Sequence, residues 1–177
     1  MEGKITAEEH RLWLFLRQIY SLITEVEERV AGRNGITSQQ YIVLWMIEGM
    51  SKVIRGPITI TDLAPHLYRR VNSISTGIDR MEKRGLVRKV RDLPDRRSIR
   101  IRITRKGHER LIESLKPYRK MVKRLLSVFS DDELQAFILL LKKLEKKVLE
   151  EPGIDEVKVN PSLRDAQEIL KFINKVI

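Results

Sequence analysis

The side chains of this chain best suited to recognition chemistry are guanidiniums and small hydrogen-bonding groups, gathered in one stretch. Residues 66 to 107 hold 14 Lys and Arg against 4 Asp and Glu, so this quarter of the chain carries +10 of a formal net charge of +11. Two clusters stand out. Asp95, Arg96, Arg97 and Ser98 follow Pro94 in a turn-forming run, and Asn72, Ser73, Ser75, Thr76, Gly77 and Arg80 share a helical segment that Arg69 and Arg70 precede. A guanidinium is permanently charged and offers a planar fork of donors that matches phosphate. Small hydroxyl and amide side chains let a helix backbone come close to a hydrogen-bonding surface. A lone basic helix is usually only a solvated face. Concentration of nearly all the net charge in one stretch argues instead for a polyanionic partner, nucleic acid before an anionic membrane.

Other chemistries find little support. His10, His66 and His108 are far apart in sequence and sit in no nucleophile or metal-ligand motif, and no Gly-rich phosphate loop is present. There are no cysteines, which excludes disulfides, thiolate metal sites and thiol redox sensing. We therefore expect no enzyme, no metal and no cofactor. No run approaches the ~18 apolar residues of a membrane span, and the first residues lack a charged-then-apolar signal pattern. The expectation is a cytoplasmic protein with no membrane partner.

The elements that must position the clusters follow from spacing. Thr6 to Glu9 is a capping box that opens a helix over roughly 7 to 31, with Leu12, Leu16, Ile19, Ile23, Val26 and Val30 at helical intervals. Thr37 and Gln40 open a second helix, with Gly49 near its end and a loop over 51 to 57. A short strand at Ile58 and Thr59 precedes a short helix, capped by Thr59 with Asp62 as its box partner. A turn at Arg69 and Arg70 leads to a helix over about 72 to 84, with Ile74, Ile78 and Met81 inward and Gly85 as its stop. The period then changes to that of strands. Residues 86 to 91 and 99 to 103 read as a β-hairpin around the basic tip, with Ile99, Ile101 and Ile103 on a core and the intervening arginines in solvent.

Thr104 caps a further helix with Leu111, Leu115, Tyr118, Val122 and Leu125 inward. A capping box at Ser130 opens another, whose Leu134, Phe137, Leu141, Leu144 and Val148 form a coiled-coil-like seam. Pro152 and Gly153 end it, and a tail follows with Asn160 and Pro161 as a further helix start. A short helix, a turn and a polar second helix make a helix-turn-helix, whose second member fits the major groove of duplex DNA. A cationic hairpin beside it suits the narrow, negative minor groove. RNA is a poorer match, because Tyr68 is the segment's lone aromatic.

The sequence resembles the MarR family of regulators. The likeness rests on Ile60-Thr61-Asp62-Leu63-Ala64, Arg80-Met81-Glu82-Lys83-Arg84-Gly85-Leu86-Val87-Arg88, Asp95-Arg96-Arg97-Ser98 and Thr104-Arg105-Lys106-Gly107, in that order, and covers about residues 6 to 150. It implies a mainly α fold with a small β-hairpin wing: a dimerisation helix over 1–35, a winged helix-turn-helix over 36–107 and C-terminal dimerisation helices over 108–150; the helical extension over 151–177, read from its own spacing, lies outside the family's usual pattern. It implies a homodimer packed through Leu12, Leu16, Leu134, Phe137, Leu141, Leu144 and Val148. Asp95 would orient the wing, Arg97 would enter the minor groove, and Arg96, Arg69 and Arg70 would meet phosphates. The implied function is a ligand-responsive repressor on a pseudo-palindromic operator; the alternative is a sequence-indifferent architectural DNA-binding protein without an effector. Trp13, Tyr20, Tyr41, Trp45 and Tyr118 are the candidates for a crevice that takes a small aromatic effector, although ordinary core packing is the better explanation of such rings.

Overall fold

The architecture was taken from a computed structural model that describes residues 4–53, 58–67, 71–91 and 99–152. Among the described residues, six helices and a two-stranded antiparallel pair follow in the order α1 (Ala7–Gly32), α2 (Ser38–Val53), α3 (Ile60–His66), α4 (Val71–Lys83), β1 (Val87–Val90), β2 (Arg100–Ile103), α5 (Arg105–Leu126) and α6 (Asp131–Leu149). The fold is mainly α with a small β wing.

Local chemistry accounts for most boundaries. Reciprocal capping boxes start α1 at Thr6, α3 at Thr59 and α6 at Ser130, each pairing its hydroxyl residue with an acid three positions on. Thr37 and Gln40 make the same exchange at the start of α2, at 3.1 Å in both directions. Gly85 takes φ of +71°, the left-handed conformation that ends α4 at no steric cost. Thr104 then joins two segments. Its hydroxyl donates to the Gly85 carbonyl at 2.6 Å and accepts from the Gly107 amide at 3.0 Å, so the end of the α4 turn and the start of α5 share one side chain.

The core lies between α2, α3, α4, the strands and the first two-thirds of α5. Leu44, Leu63, Ile78, Met81, Leu86, Leu111 and Leu115 are its most enclosed large residues. The expected inward set of α4, Ile74, Ile78 and Met81, is buried. In the wing the register is Val87 with Ile103, Arg88 with Arg102, Lys89 with Ile101 and Val90 with Arg100.

Three expectations are corrected. Residues 51 to 53 are helical rather than loop, because the core continues past Gly49 to a buried Met50. Arg100 is half-buried rather than solvent-facing, because Thr59 bridges it on the side away from β1. The Ile58 carbonyl accepts from the Ile101 amide at 2.7 Å, so the short segment before α3 serves as a third pairing partner for the wing. Val122 and Leu125 are exposed, and Met121 closes the core instead. Beyond that point no residue of α5 is buried among the described residues. The expected helix start at Asn160 and Pro161, and the loop at 54–57, lie outside the described residues.

Candidate nucleic-acid interface

Burial of Ile74, Ile78 and Met81 fixes the rotation of α4 and turns the opposite face outward. Asn72, Ser73, Thr76 and Arg80 are exposed there, while Ser75 and Gly77 are half-buried. The Thr76 hydroxyl donates to the Asn72 carbonyl at 3.0 Å, which fixes its rotamer. Ser73, Thr76 and Arg80 line a groove of about 420 Å³ together with Thr37, Gln39 and Gln40 at the start of α2. Thr37 and Gln39 thus join the polar surface. In the sequence Thr37 was visible only as a helix start, although helix N-termini also favour anions.

The basic residues divide into two groups that sequence alone merges. Some hold the lobe together. Arg84 donates to Gln40 Oε1 at 2.7 Å and to the Gly35 carbonyl at 2.5 Å, tying the end of α4 to the turn between α1 and α2. Lys106 caps the Arg84 carbonyl at 2.8 Å. Lys89 pairs with Asp79 of α4, and its backbone amide donates to Glu82 Oε1 at 2.7 Å. Arg105 pairs with Glu109 at 2.8 Å.

The other group faces water. Arg80, Lys83, Arg88, Arg91 and Arg102 are exposed and make no ion pair among the described residues. Lys89 links β1 directly to α4, so the exposed wing cations and the polar face of α4 belong to one braced unit. Arg69, Arg70, Asp95, Arg96 and Arg97 lie outside the described residues.

The five aromatic candidates are not brought into one crevice within a single chain. Tyr41 and Tyr118 stack on each other with ring centroids 3.8 Å apart, and Trp45 is half-buried. Trp13 and Tyr20 are exposed on the first half of α1. Burial, and after it the nearby Glu27 carboxylate, pushes the phenols of Tyr41 and Tyr118 well above their ordinary range. The Tyr118 hydroxyl is buried and has no hydrogen-bond partner among the described residues.

The expected dimer residues share one property. Leu12, Phe137, Leu141, Leu144 and Val148 are exposed, Leu16 and Leu134 are half-buried, and α6 has no buried residue. Among the described residues no helix is long and apolar enough to cross a membrane.

Comparison with known proteins gives a consistent answer. The MarR family pattern matches residues 36–99. The uncharacterized HTH-type transcriptional regulator YsmB of Bacillus subtilis is 28% identical over 134 residues, spanning 75% of this chain and 88% of that protein. The organohalide-sensing RdhR-CbdbA1625 transcriptional regulator in its 2,4-dichlorophenol-bound form superposes with a TM-score of 0.72 at 21% identity, over 88% of this chain and 93% of that one. A mutant of MarR from E. coli in complex with operator DNA superposes with a TM-score of 0.70 at 19% identity, over 80% of this chain and 99% of that one.

Proposed function

We propose that this chain, whose residues 36–99 match the MarR family pattern, is a regulator of that type that binds a pseudo-palindromic site in duplex DNA as a homodimer and represses until an effector binds. The observation that carries DNA binding is the bracing of the wing to α4. Lys89 fastens the two through Asp79 and Glu82, and the cations left over, Arg80, Lys83, Arg88 and Arg102, are exposed without ion-pair partners among the described residues. A protein that only needed solubility would gain more from mixed charge. The polar face of α4 would read base edges, and the exposed cations and Arg69, Arg70 and Arg96 would meet phosphates. Arg97, with Asp95 orienting the tip, would enter the minor groove.

The dimer is supported by the apolar face that α1 and α6 leave open. A monomer rarely exposes so many large apolar side chains on two helices, and a two-fold frame would present two reading lobes one helical turn of DNA apart, ~34 Å. The effector reading is supported by the phenolic ligand in the organohalide-sensing relative. A partner protomer that covers Trp13 and Tyr20 would bury them, and an aromatic guest beside the Tyr41–Tyr118 stack could wedge lobe against frame. A coupling of ~1–3 kcal/mol would give ~5–150-fold derepression.

The test is selection of bound duplexes from a random pool, followed by anisotropy titration against bulk competitor DNA. The expected result is one palindromic motif preferred by ~10³ or more, with a slope of log affinity against log salt near −7 if the dimer neutralises ~8 phosphates. Binding without sequence preference would establish the architectural alternative. Failure to bind at low salt, or a monomer in sedimentation, would overturn the proposal.

A further inference from the structure

A second groove, of about 560 Å³, runs between the last third of α1 and the second half of α5. Its apolar floor is Val26 and Val30 from α1 with Pro117 and Met121 from α5. Its rim carries Arg33, Lys116, Lys120 and Arg124, none of which makes an ion pair among the described residues. A fifth cation, Arg29, is engaged with Glu25 at 3.0 Å, and among the described residues no acid lines the groove.

The groove is separate from the stacked tyrosines. Val26, Arg29, Val30 and Arg33 recur at i, i+3, i+4 and i+7 and so form one stripe of α1. Glu28 and Ala31 lie on another. Glu28 accepts from the Ser38 amide at 3.1 Å and from its hydroxyl at 2.8 Å, and Ala31 is fully buried. One side of α1 faces α2 and the other faces this groove.

We propose that the groove binds an amphipathic anion, a carboxylate or phosphate head on an aliphatic body. Four uncompensated cations around an apolar floor repel one another, and an anionic head relieves that repulsion in a setting drier than bulk water. Two of the four are guanidiniums, whose forks match either oxyanion. The body is aliphatic rather than aromatic because the lining holds no ring to stack on. Its length follows from the helices: the lining spans seven residue steps of α1 and eight of α5, roughly 10–12 Å. The proposal stands apart from DNA binding, since its readout is ligand binding alone.

The experiment uses the full chain in its native oligomeric state, with sodium decanoate, monodecyl phosphate and decanol titrated below micelle formation by calorimetry and thermal shift. At least one anionic probe is expected to bind saturably and raise the melting temperature, with decanol ineffective. The relative affinities of decanoate and decyl phosphate then identify the head group. The double variant Lys116→Gln/Lys120→Gln alters exposed side chains and is expected to keep the melting temperature of the free protein. It should bind the anionic probe at least about tenfold more weakly. A methyl NMR shift at Met121 on addition of that probe locates the site without any variant. Equal binding of decanol, unchanged affinity in the double variant, an unmoved Met121 methyl, or no binding because a partner protomer fills the groove would each overturn the proposal.

Discussion

Arg88 and Arg102 sit directly opposite each other across the two strands of the wing, and both side chains are exposed. Like charges in that position destabilise a strand pair by about 0.2–1 kcal/mol. In the proposed DNA complex a phosphate would offset this repulsion. Arg88→Gln or Arg102→Gln should therefore leave the free protein as stable as before or slightly more so in urea melts, while DNA binding weakens. Because the loss is a phosphate contact, it should fall evenly on all sequences and reduce the salt slope by about 1. Unchanged affinity and slope would remove this pair from the interface.

Glu82 should behave differently. It accepts the Lys89 amide at 2.7 Å, while Asp79 holds the Lys89 ammonium. Glu82→Ala strands a half-buried backbone donor, at a cost of about 1–3 kcal/mol. The wing then loses its fixed angle to α4. The expected signature is weaker, less selective DNA binding with an unchanged salt slope, together with a lower urea midpoint. Glu82→Gln keeps an acceptor oxygen and should restore most of both. A fall in the salt slope would instead make Glu82 part of the electrostatic contact.

How much of this was legible beforehand depends on whether a residue's partner is near it in sequence. The capping boxes at Thr6, Thr59 and Ser130, the inward set of α4 and the stop at Gly85 are local, and each was readable from spacing. The division of the basic residues was not. Arg84 is a brace because Gln40 and Gly35 lie 44 and 49 positions away, and no periodicity reports such a partner. Arg100 was misassigned for the same reason: its neighbour Thr59 comes from a separate segment. The exposure of Val122 and Leu125 reflects the opposite problem, since their helical spacing is apolar whether the covering surface belongs to the same chain or to another.

Two glycines separate the needs of the fold from those of the interface. At Gly107 an added Cβ would collide with the Leu86 carbonyl and stand 2.9 Å from Ile103 Cγ2. Gly107→Ala should destabilise by about 1–3 kcal/mol or more, a fall in melting temperature of about 2–4 °C per kcal/mol for a chain of this size. At Gly77 an added Cβ would meet nothing within 4 Å. Gly77→Ala should stabilise α4 by about 0.5–1 kcal/mol. Yet Gly77 lines the groove beside Ser73, Thr76 and Arg80, so the extra methyl should hold the helix off the base edges and weaken specific binding more than non-specific binding. Calorimetry and anisotropy on the two variants test both halves, and unaltered specific binding by Gly77→Ala would mean that α4 does not approach the bases at this point.

Glu27 gives a pH-dependent prediction. Burial first, and the Glu28 carboxylate second, raise its pKa above the ordinary value of 4.5. The folded state therefore holds this proton more tightly than the unfolded chain does. The stabilisation linked to it is fully present below the ordinary carboxylate pKa and is lost as pH rises through the folded value. At about pH 7 the ionised Glu27 carries a desolvation cost, and its charge adds, after burial, to the upward shift of the Tyr41 and Tyr118 phenols. Glu27→Gln should consequently melt at a higher temperature than the unmodified chain near neutral pH, and the gap should close as the buffer is taken below 4.5. Titrating other carboxylates changes both proteins alike, so the difference between the two curves isolates this residue. A gap that stays constant with pH would trace the gain to packing rather than to charge.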